Sequence, residues 1–106
     1  MSVSQERYIE RNAGLKVRQL WPGTLWVKMR AVGFPDRMVI FPNGNIVFIE
    51  FKTPKGTLEP QQDAVIGILR KLRVNVYVCT STTEAVAVCK RHAPAPAPSK
   101  RRNPRA

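Results

Sequence analysis

The sequence predicts a single α/β domain with the element order α-β-β-β-α-β-α. Three observations lead to this prediction: apolar residues recur at helical spacing near the start of the chain, strand-like runs dominate its middle, and the two patterns alternate afterwards. The chain has 106 residues and is 43% hydrophobic, which is sufficient for one modest core and insufficient for several domains. We expect the domain to span residues 1–92.

The first predicted helix covers residues 4–20, where Ile9, Ala13 and Val17 form an apolar stripe that continues to Leu20. Glu10 lies on or beside this stripe, so its carboxylate is expected near the core. A solvated glutamate at the edge of the helix would show the same spacing and remains the alternative.

Three β-rich runs follow, over residues 25–30, 37–41 and 46–52. The third run is apolar on both faces, which is typical of a central strand covered on both sides. Glu50 and Lys52 interrupt this run two residues apart, so both project from the same face near the end of the strand.

In the second half of the chain, the spacing of apolar residues predicts a helix over 59–72, a strand over 74–80 and a short helix over 83–91. Pro60 fits the first turn of the middle helix. Its inward stripe is predicted to contain Val65, Ile68, Leu69 and Leu72. Gln62 belongs to the same stripe and is therefore expected to face inward, near the end of the strand that carries Glu50.

The Asn43-Gly44 pair predicts a hairpin between the second and third strands. The register of that hairpin decides whether Asp36 joins the other charged groups. A two-residue loop would point Asp36 to the wrong face. We therefore predict a three-residue loop over 43–45, or a bulge beside Asp36, with Asp36 opposite Lys52.

Asp36 and Glu50 together would form a small site with two carboxylates, which repel each other unless a cation is present. Hard oxygen ligands favour Mg²⁺ or Mn²⁺ over zinc. Such an ion activates water and stabilises charge on a phosphate under attack, and Lys52 beside it supplies a further positive donor. The alternative is that Glu50 and Lys52 are an ordinary ion pair at a strand end.

The formal charge of +11 predicts a polyanion as partner, and nucleic acid is the first candidate. Residues 93–106, an Ala-Pro run followed by Lys100, Arg101, Arg102 and Arg105, are expected to form a disordered basic tail. These four residues leave +7 on residues 1–92, so the tail alone does not account for the charge. Whether the tail binds DNA or only increases solubility is open.

The chain has no apolar run of about 18 residues and no apolar region at its N-terminus. We therefore expect an intracellular protein with no membrane partner, in the cytoplasm or nucleoid, or in the host cell if the source is viral. The cysteines, Cys79 and Cys89, are expected to be buried thiols rather than a metal or disulfide framework.

Three ordered motifs closely resemble the VRR-NUC domain, a compact branch of the PD-(D/E)XK nuclease superfamily. They are Gly33-Phe34-Pro35-Asp36-Arg37, Phe48-Ile49-Glu50-Phe51-Lys52-Thr53 and Leu58-Glu59-Pro60-Gln61-Gln62. The resemblance extends over roughly residues 5–89. It implies a restriction-endonuclease-like domain with a mixed β-sheet flanked by helices, and metal-dependent hydrolysis of phosphodiester bonds.

The resemblance also implies roles for individual residues. Asp36 and Glu50 correspond to the metal carboxylates, the Phe51 backbone carbonyl to a further ligand, and Lys52 to the catalytic lysine. Glu10 matches the acidic position of the first helix that approaches the metal through water, and Gln62 matches the glutamine that follows the Ser/Thr-Pro turn. Glu59 stands where the family usually has a small hydroxyl residue, which leaves the local turn geometry in question.

Stand-alone members of this family are similar to Holliday-junction resolvases. The leading hypothesis is therefore a Mg²⁺- or Mn²⁺-dependent endonuclease selective for DNA structure, acting as a homodimer on branched or four-way-junction DNA. A general single-strand or nicking nuclease and a non-catalytic nucleic-acid-binding module are the alternatives.

Overall fold

A computed structural model describes residues 2–95, with side chains from residue 4 onward. The order α-β-β-β-α-β-α is confirmed. The elements are α1 (Ser2–Leu20), β1 (Leu25–Lys28), β2 (Arg37–Ile40), β3 (Ile46–Phe51), α2 (Pro60–Lys71), β4 (Val76–Cys79) and α3 (Thr82–Lys90). The four strands form one mixed sheet in the order β1-β2-β3-β4, antiparallel except for the parallel pair β3 and β4.

The α1 helix packs through Ile9, Ala13 and Val17 of the predicted stripe, whereas Leu20, which was expected to continue it, is 46% exposed. Glu10 is also buried, with 8% of its surface exposed, so it is not a solvated residue at the helix edge. Gly14 lets the indole of Trp26 lie directly against the helix: a Cβ atom at this position would be 2.5 Å from Trp26 Nε1.

The β2–β3 hairpin has the predicted loop length but a different register. Phe41 N donates to Asn45 O at 2.9 Å, so the enclosed loop is 42–44 rather than 43–45. Gly44 has φ +87°, the left-handed conformation that ends a three-residue hairpin loop. The register pairs Arg37 with Ile49, and continuing it by one residue places Asp36 opposite Glu50, not opposite Lys52. The two-residue shift leaves all side chains on their predicted faces.

Helices cover both faces of the sheet, and each face has its own apolar cluster. On one face, α1 and α3 pack on side chains that include Val39, Val47, Ile49 and Phe51. On the other face, α2 packs Ile66 and Leu69 against Val76 and neighbouring side chains. The predicted inward stripe of α2 is partly wrong, because Ile68 and Leu72 are 58% and 68% exposed. Positions 62, 65, 66 and 69 face the sheet instead, since they share one side of a 3.6-residue helix.

The end of the described chain is fixed to the hairpin loop. The Nδ2 groups of Asn43 and Asn45 both donate to the His92 carbonyl oxygen, at 3.1 and 2.8 Å. Ala93 packs against the core of the α1 and α3 face, so the folded region continues slightly beyond the expected boundary at residue 92. Residues 96–106, most of the predicted basic tail, lie outside the described residues.

The Cys79 and Cys89 side chains are buried free thiols, as expected. Burial raises the pKa of each thiol to about 12, so both stay protonated and unreactive at neutral pH. Among the helices of residues 2–95, none has the length and apolar character needed to cross a bilayer.

Candidate active site

Asp36 lies immediately before β2, at the end of the sheet where β3 finishes. Its Oδ2 atom accepts a hydrogen bond of 2.8 Å from the backbone N–H of Phe51. This bond between neighbouring strands fixes the carboxylate next to the last residues of β3. The Phe51 side chain points to the opposite face, where it is completely buried and its ring lies 6.1 Å from that of Trp26.

Glu50 is the most buried carboxylate of the site, with 2% of its surface exposed. Its Oε2 atom accepts a hydrogen bond of 3.0 Å from Gln62 Nε2 and lies 3.4 Å from Lys52 Nζ. The other oxygen, Oε1, is buried and has no hydrogen-bond partner within residues 2–95. One oxygen of this carboxylate is therefore held by protein groups, and the other is a buried acceptor with no protein donor in the described residues.

Lys52 and Gln62 hold Glu50 from two directions. Lys52 is buried, with 9% of its surface exposed, and its backbone N–H donates to Cys79 O of β4 at 3.0 Å. Gln62 lies in the first turn of α2, where its Oε1 atom accepts a hydrogen bond of 2.9 Å from Glu59 N. Glu59 is therefore the N-cap residue of α2. The helix begins normally at Pro60, although Glu59 stands where the resemblance leads one to expect a small hydroxyl residue.

Glu10 is close to this site but is engaged elsewhere. Its Oε2 atom forms salt bridges with Arg37 Nε and, at 3.4 Å, with Lys28 Nζ, on the face of the sheet that α1 covers. No sequence pattern signals these partners, because Lys28 and Arg37 lie 18 and 27 residues away from Glu10 along the chain. Glu10 is still near enough for its charge to raise the pKa of Asp36.

Burial shifts the pKa values of both carboxyl groups of the site in the same direction. It raises the pKa of Glu50 from 4.5 to about 7, and the charge of Asp36 adds to this increase, while Lys52 opposes it. Burial also raises the pKa of Asp36 above 3.8, against the lowering influence of the Phe51 hydrogen bond and of the charges on Lys28 and Lys52. The pair thus retains protons more strongly than ordinary carboxylates and would release them to a cation.

The donor set fits a hard divalent cation. Two carboxylates meet at one end of the sheet, and the unpaired Glu50 Oε1 atom is a buried acceptor whose desolvation costs about 1–3 kcal/mol when it has no partner. Magnesium and manganese prefer such oxygen ligands. The described part of the chain contains no cluster of three or more His, Cys, Asp or Glu side chains arranged for a metal, so any ion here would need backbone oxygens, water or substrate as further ligands.

The aromatic residues near the site serve the core. The Trp21 ring packs edge-on against Phe41 at 5.9 Å, Trp26 packs on Phe51, and Phe34 belongs to the apolar cluster under α2. The hydrogen bond from Phe51 N to Asp36 requires the observed register of β2 against β3, for which Gly44 at the third loop position was the available sequence signal. The unpaired oxygen of Glu50 depends on the packing around it and has no sequence signal.

Comparison with known proteins agrees with the motifs. Residues 5–83 match the family model described as the VRR-NUC domain. A solved structure titled "VRR_NUC domain" is similar to this chain, with 28% sequence identity, a TM-score of 0.72, and coverage of 81% of this chain and 95% of that one. None of the curated proteins compared with the sequence matches it. The resemblance and the fold class predicted from sequence are confirmed.

Proposed function

Because this chain belongs to the VRR-NUC family of nuclease-type domains, we propose that it is a Mg²⁺- or Mn²⁺-dependent endonuclease that hydrolyses phosphodiester bonds in DNA. The observation that carries the proposal is the buried Glu50 carboxylate, which is held on one side by Lys52 and Gln62 and presents an unpaired oxygen on the other.

Asp36 and Glu50 would hold the cation, with the Phe51 backbone carbonyl as a further ligand and Glu10 acting through water. When bound, the ion would lower the pKa of a water molecule and stabilise the negative charge that develops around phosphorus. The hydrogen bond from Phe51 N supports this assignment, since it orients Asp36 before any ligand arrives.

Lys52 is the proposed catalytic lysine. Its ammonium group is largely shielded from water, and a donor in such an environment interacts with developing charge more strongly than it would in bulk solvent. From its place beside Glu50, Lys52 would donate either to the attacking water or to a nonbridging phosphate oxygen. Gln62 is a positioning residue: its side chain donates to Glu50 and holds the carboxylate that lies beside Lys52.

The preferred substrate in this proposal is branched DNA, with a four-way junction as the first candidate, and the active form is a homodimer. One domain of this size offers little surface with which to read a junction. A twofold symmetric dimer would present two active sites to two strands and would double the positive charge.

The test is cleavage of labelled four-way junction, splayed-arm, duplex and single-stranded DNA with Mg²⁺, Mn²⁺ or EDTA. Lys52→Ala is compared with Lys55→Ala, a matched control that removes an exposed lysine only three residues away. We expect metal-dependent cleavage by the wild type and by Lys55→Ala, and a loss of about 10²–10³-fold in Lys52→Ala with folding retained.

Paired symmetric nicks at the junction, together with a dimeric mass in solution, would support the resolvase. Equal cleavage of every substrate would support the general nuclease and reject junction selectivity. Binding without cleavage under any metal condition would leave only the binding module, and wild-type rates in Lys52→Ala would reject the role of Lys52.

A further inference from the structure

A groove of about 650 Å³ runs along α1 beside β1 and β2, and its lining is strongly basic. Five cationic side chains and a single carboxylate line it: Arg7, Arg11, Arg18, Lys28, Arg37 and Glu10. Glu10 is already neutralised by Lys28 and Arg37, so the three arginines of α1 face no other acid within the lining.

The arginines of α1 form a continuous stripe. Arg7, Arg11 and Arg18 lie within about 40° of one another around the helix axis, and the stripe extends for about 16 Å at 1.5 Å per residue. Because one strand of B-form DNA carries a phosphate about every 3.4 Å along the helix axis, this length corresponds to about four or five phosphates. Arg7 and Arg11 are exposed and form no salt bridge with any residue from 4 to 95.

The floor of the groove is rigid. The Trp26 indole is fixed between Gly14 and Phe51, and the Arg37 guanidinium lies 5.7 Å above its ring. Arg18 is likewise oriented, since its Nε group donates to the carbonyl oxygen of Gly14 at 2.9 Å. Cations held in place before binding lose less entropy when they contact an anion.

The groove lies close to the candidate active site, although the groove is on the face that α1 covers and Glu50 faces α2. Arg37 directly follows Asp36 in the chain, and the charges of Lys28 and Glu10 both act on the Asp36 carboxyl group. A DNA strand with its scissile phosphate at Asp36 and Glu50 would therefore reach the groove with the phosphates on one side of the cleavage position.

We propose that the α1 groove is a subsite that binds the phosphate backbone of the DNA strand on one side of the scissile bond. The position of this subsite relative to the scissile bond rests on the proposed nuclease function. Its binding of DNA is measured separately from cleavage. Its contacts are with phosphates rather than base edges, so it contributes affinity and alignment without sequence preference.

The experiment measures the salt dependence of DNA affinity in EDTA, which prevents metal-dependent cleavage. The variant Arg7→Gln/Arg11→Gln is compared with Lys71→Gln/Lys90→Gln, which removes the same charge from exposed positions outside the groove. We expect the slope of log K against log salt to become shallower by about 1.8 with duplex and about 1.4 with single-stranded DNA in the groove variant, and to change little in the control.

A second measurement assigns the contact to the groove. Trp21→Phe leaves Trp26 as the only tryptophan, and its fluorescence should change when a thymidine oligonucleotide is added. Neutral methylphosphonate linkages placed along the substrate should weaken binding on one side of the cleavage position only, and this asymmetry should disappear in the groove variant.

Equal slope changes in the two double variants, or no response from Trp26, would overturn the subsite. If the groove variant shows the expected reduction in slope but the wild type cleaves no substrate, the nuclease proposal fails while the subsite stands. If cleavage occurs and the groove variant binds like the wild type, the nuclease stands and the subsite fails.

Discussion

The raised pKa of Glu50 predicts how the stability of the metal-free protein changes with pH. In the folded state this carboxyl group titrates near pH 7, whereas its ordinary value is 4.5. Between these values the folded state holds a proton that the unfolded state has released. The contribution of Glu50 to stability is therefore complete below pH 4.5 and is lost as pH rises through about 7.

The size of this effect follows from the two pKa values. The full gap between 4.5 and about 7 corresponds to about 3 kcal/mol, most of which falls between pH 5 and pH 8. Asp36 acts in the same direction, because its pKa is also raised. We expect Glu50→Gln to remove the Glu50 part of the pH dependence, since an amide of the same shape has no proton to lose in this range.

The assay is urea unfolding in EDTA at several pH values from 5 to 8 for the wild type, Glu50→Gln and the control Glu6→Gln on α1. The free energy of unfolding should fall by about 2–3 kcal/mol more in the wild type than in Glu50→Gln. The quantity compared is the change in the free energy of unfolding between pH 5 and pH 8, not its absolute value, because Glu50→Gln also removes the ion-pair partner of Lys52. Parallel pH profiles for the wild type and Glu50→Gln would contradict the pH dependence of stability assigned to the raised pKa of Glu50.

Two further substitutions test the packing around the site. Gln62→Ala removes the donor to the buried carboxylate and the acceptor for a backbone N–H, so urea unfolding should show a loss of about 1–3 kcal/mol, whereas Gln61→Ala at the exposed neighbouring position should change little. Gly14→Ala should lower the melting temperature, because its Cβ would clash with Trp26 at a cost of about 1–3 kcal/mol. Gly67→Ala, in the open interior of α2, should instead stabilise by about 0.5–1 kcal/mol. Equal effects at the two glycines, or at the two glutamines, would contradict these assignments.

Local sequence patterns were sufficient to predict the order of elements, the central position of β3 and the shared face of Glu50 and Lys52. These properties follow from local periodicity: alternation along a strand and the helical repeat are set by backbone geometry within a few residues. For this reason Glu50, Lys52 and Gln62 were correctly expected to face one another. The order of the three motifs is also sufficient to identify the family.

The register of β2 against β3, which places Asp36 opposite Glu50, depends on the loop conformation together with the packing of the sheet. Gly44, in the left-handed conformation at the third loop position, is a local signal for a loop over 42–44, and packing across the whole sheet acts in addition to it. The partners of Glu10 were hidden for a related reason. Arg37 and Lys28 meet Glu10 only when α1 packs on the sheet, and charge pairing over such sequence separations leaves no periodic signal in the chain.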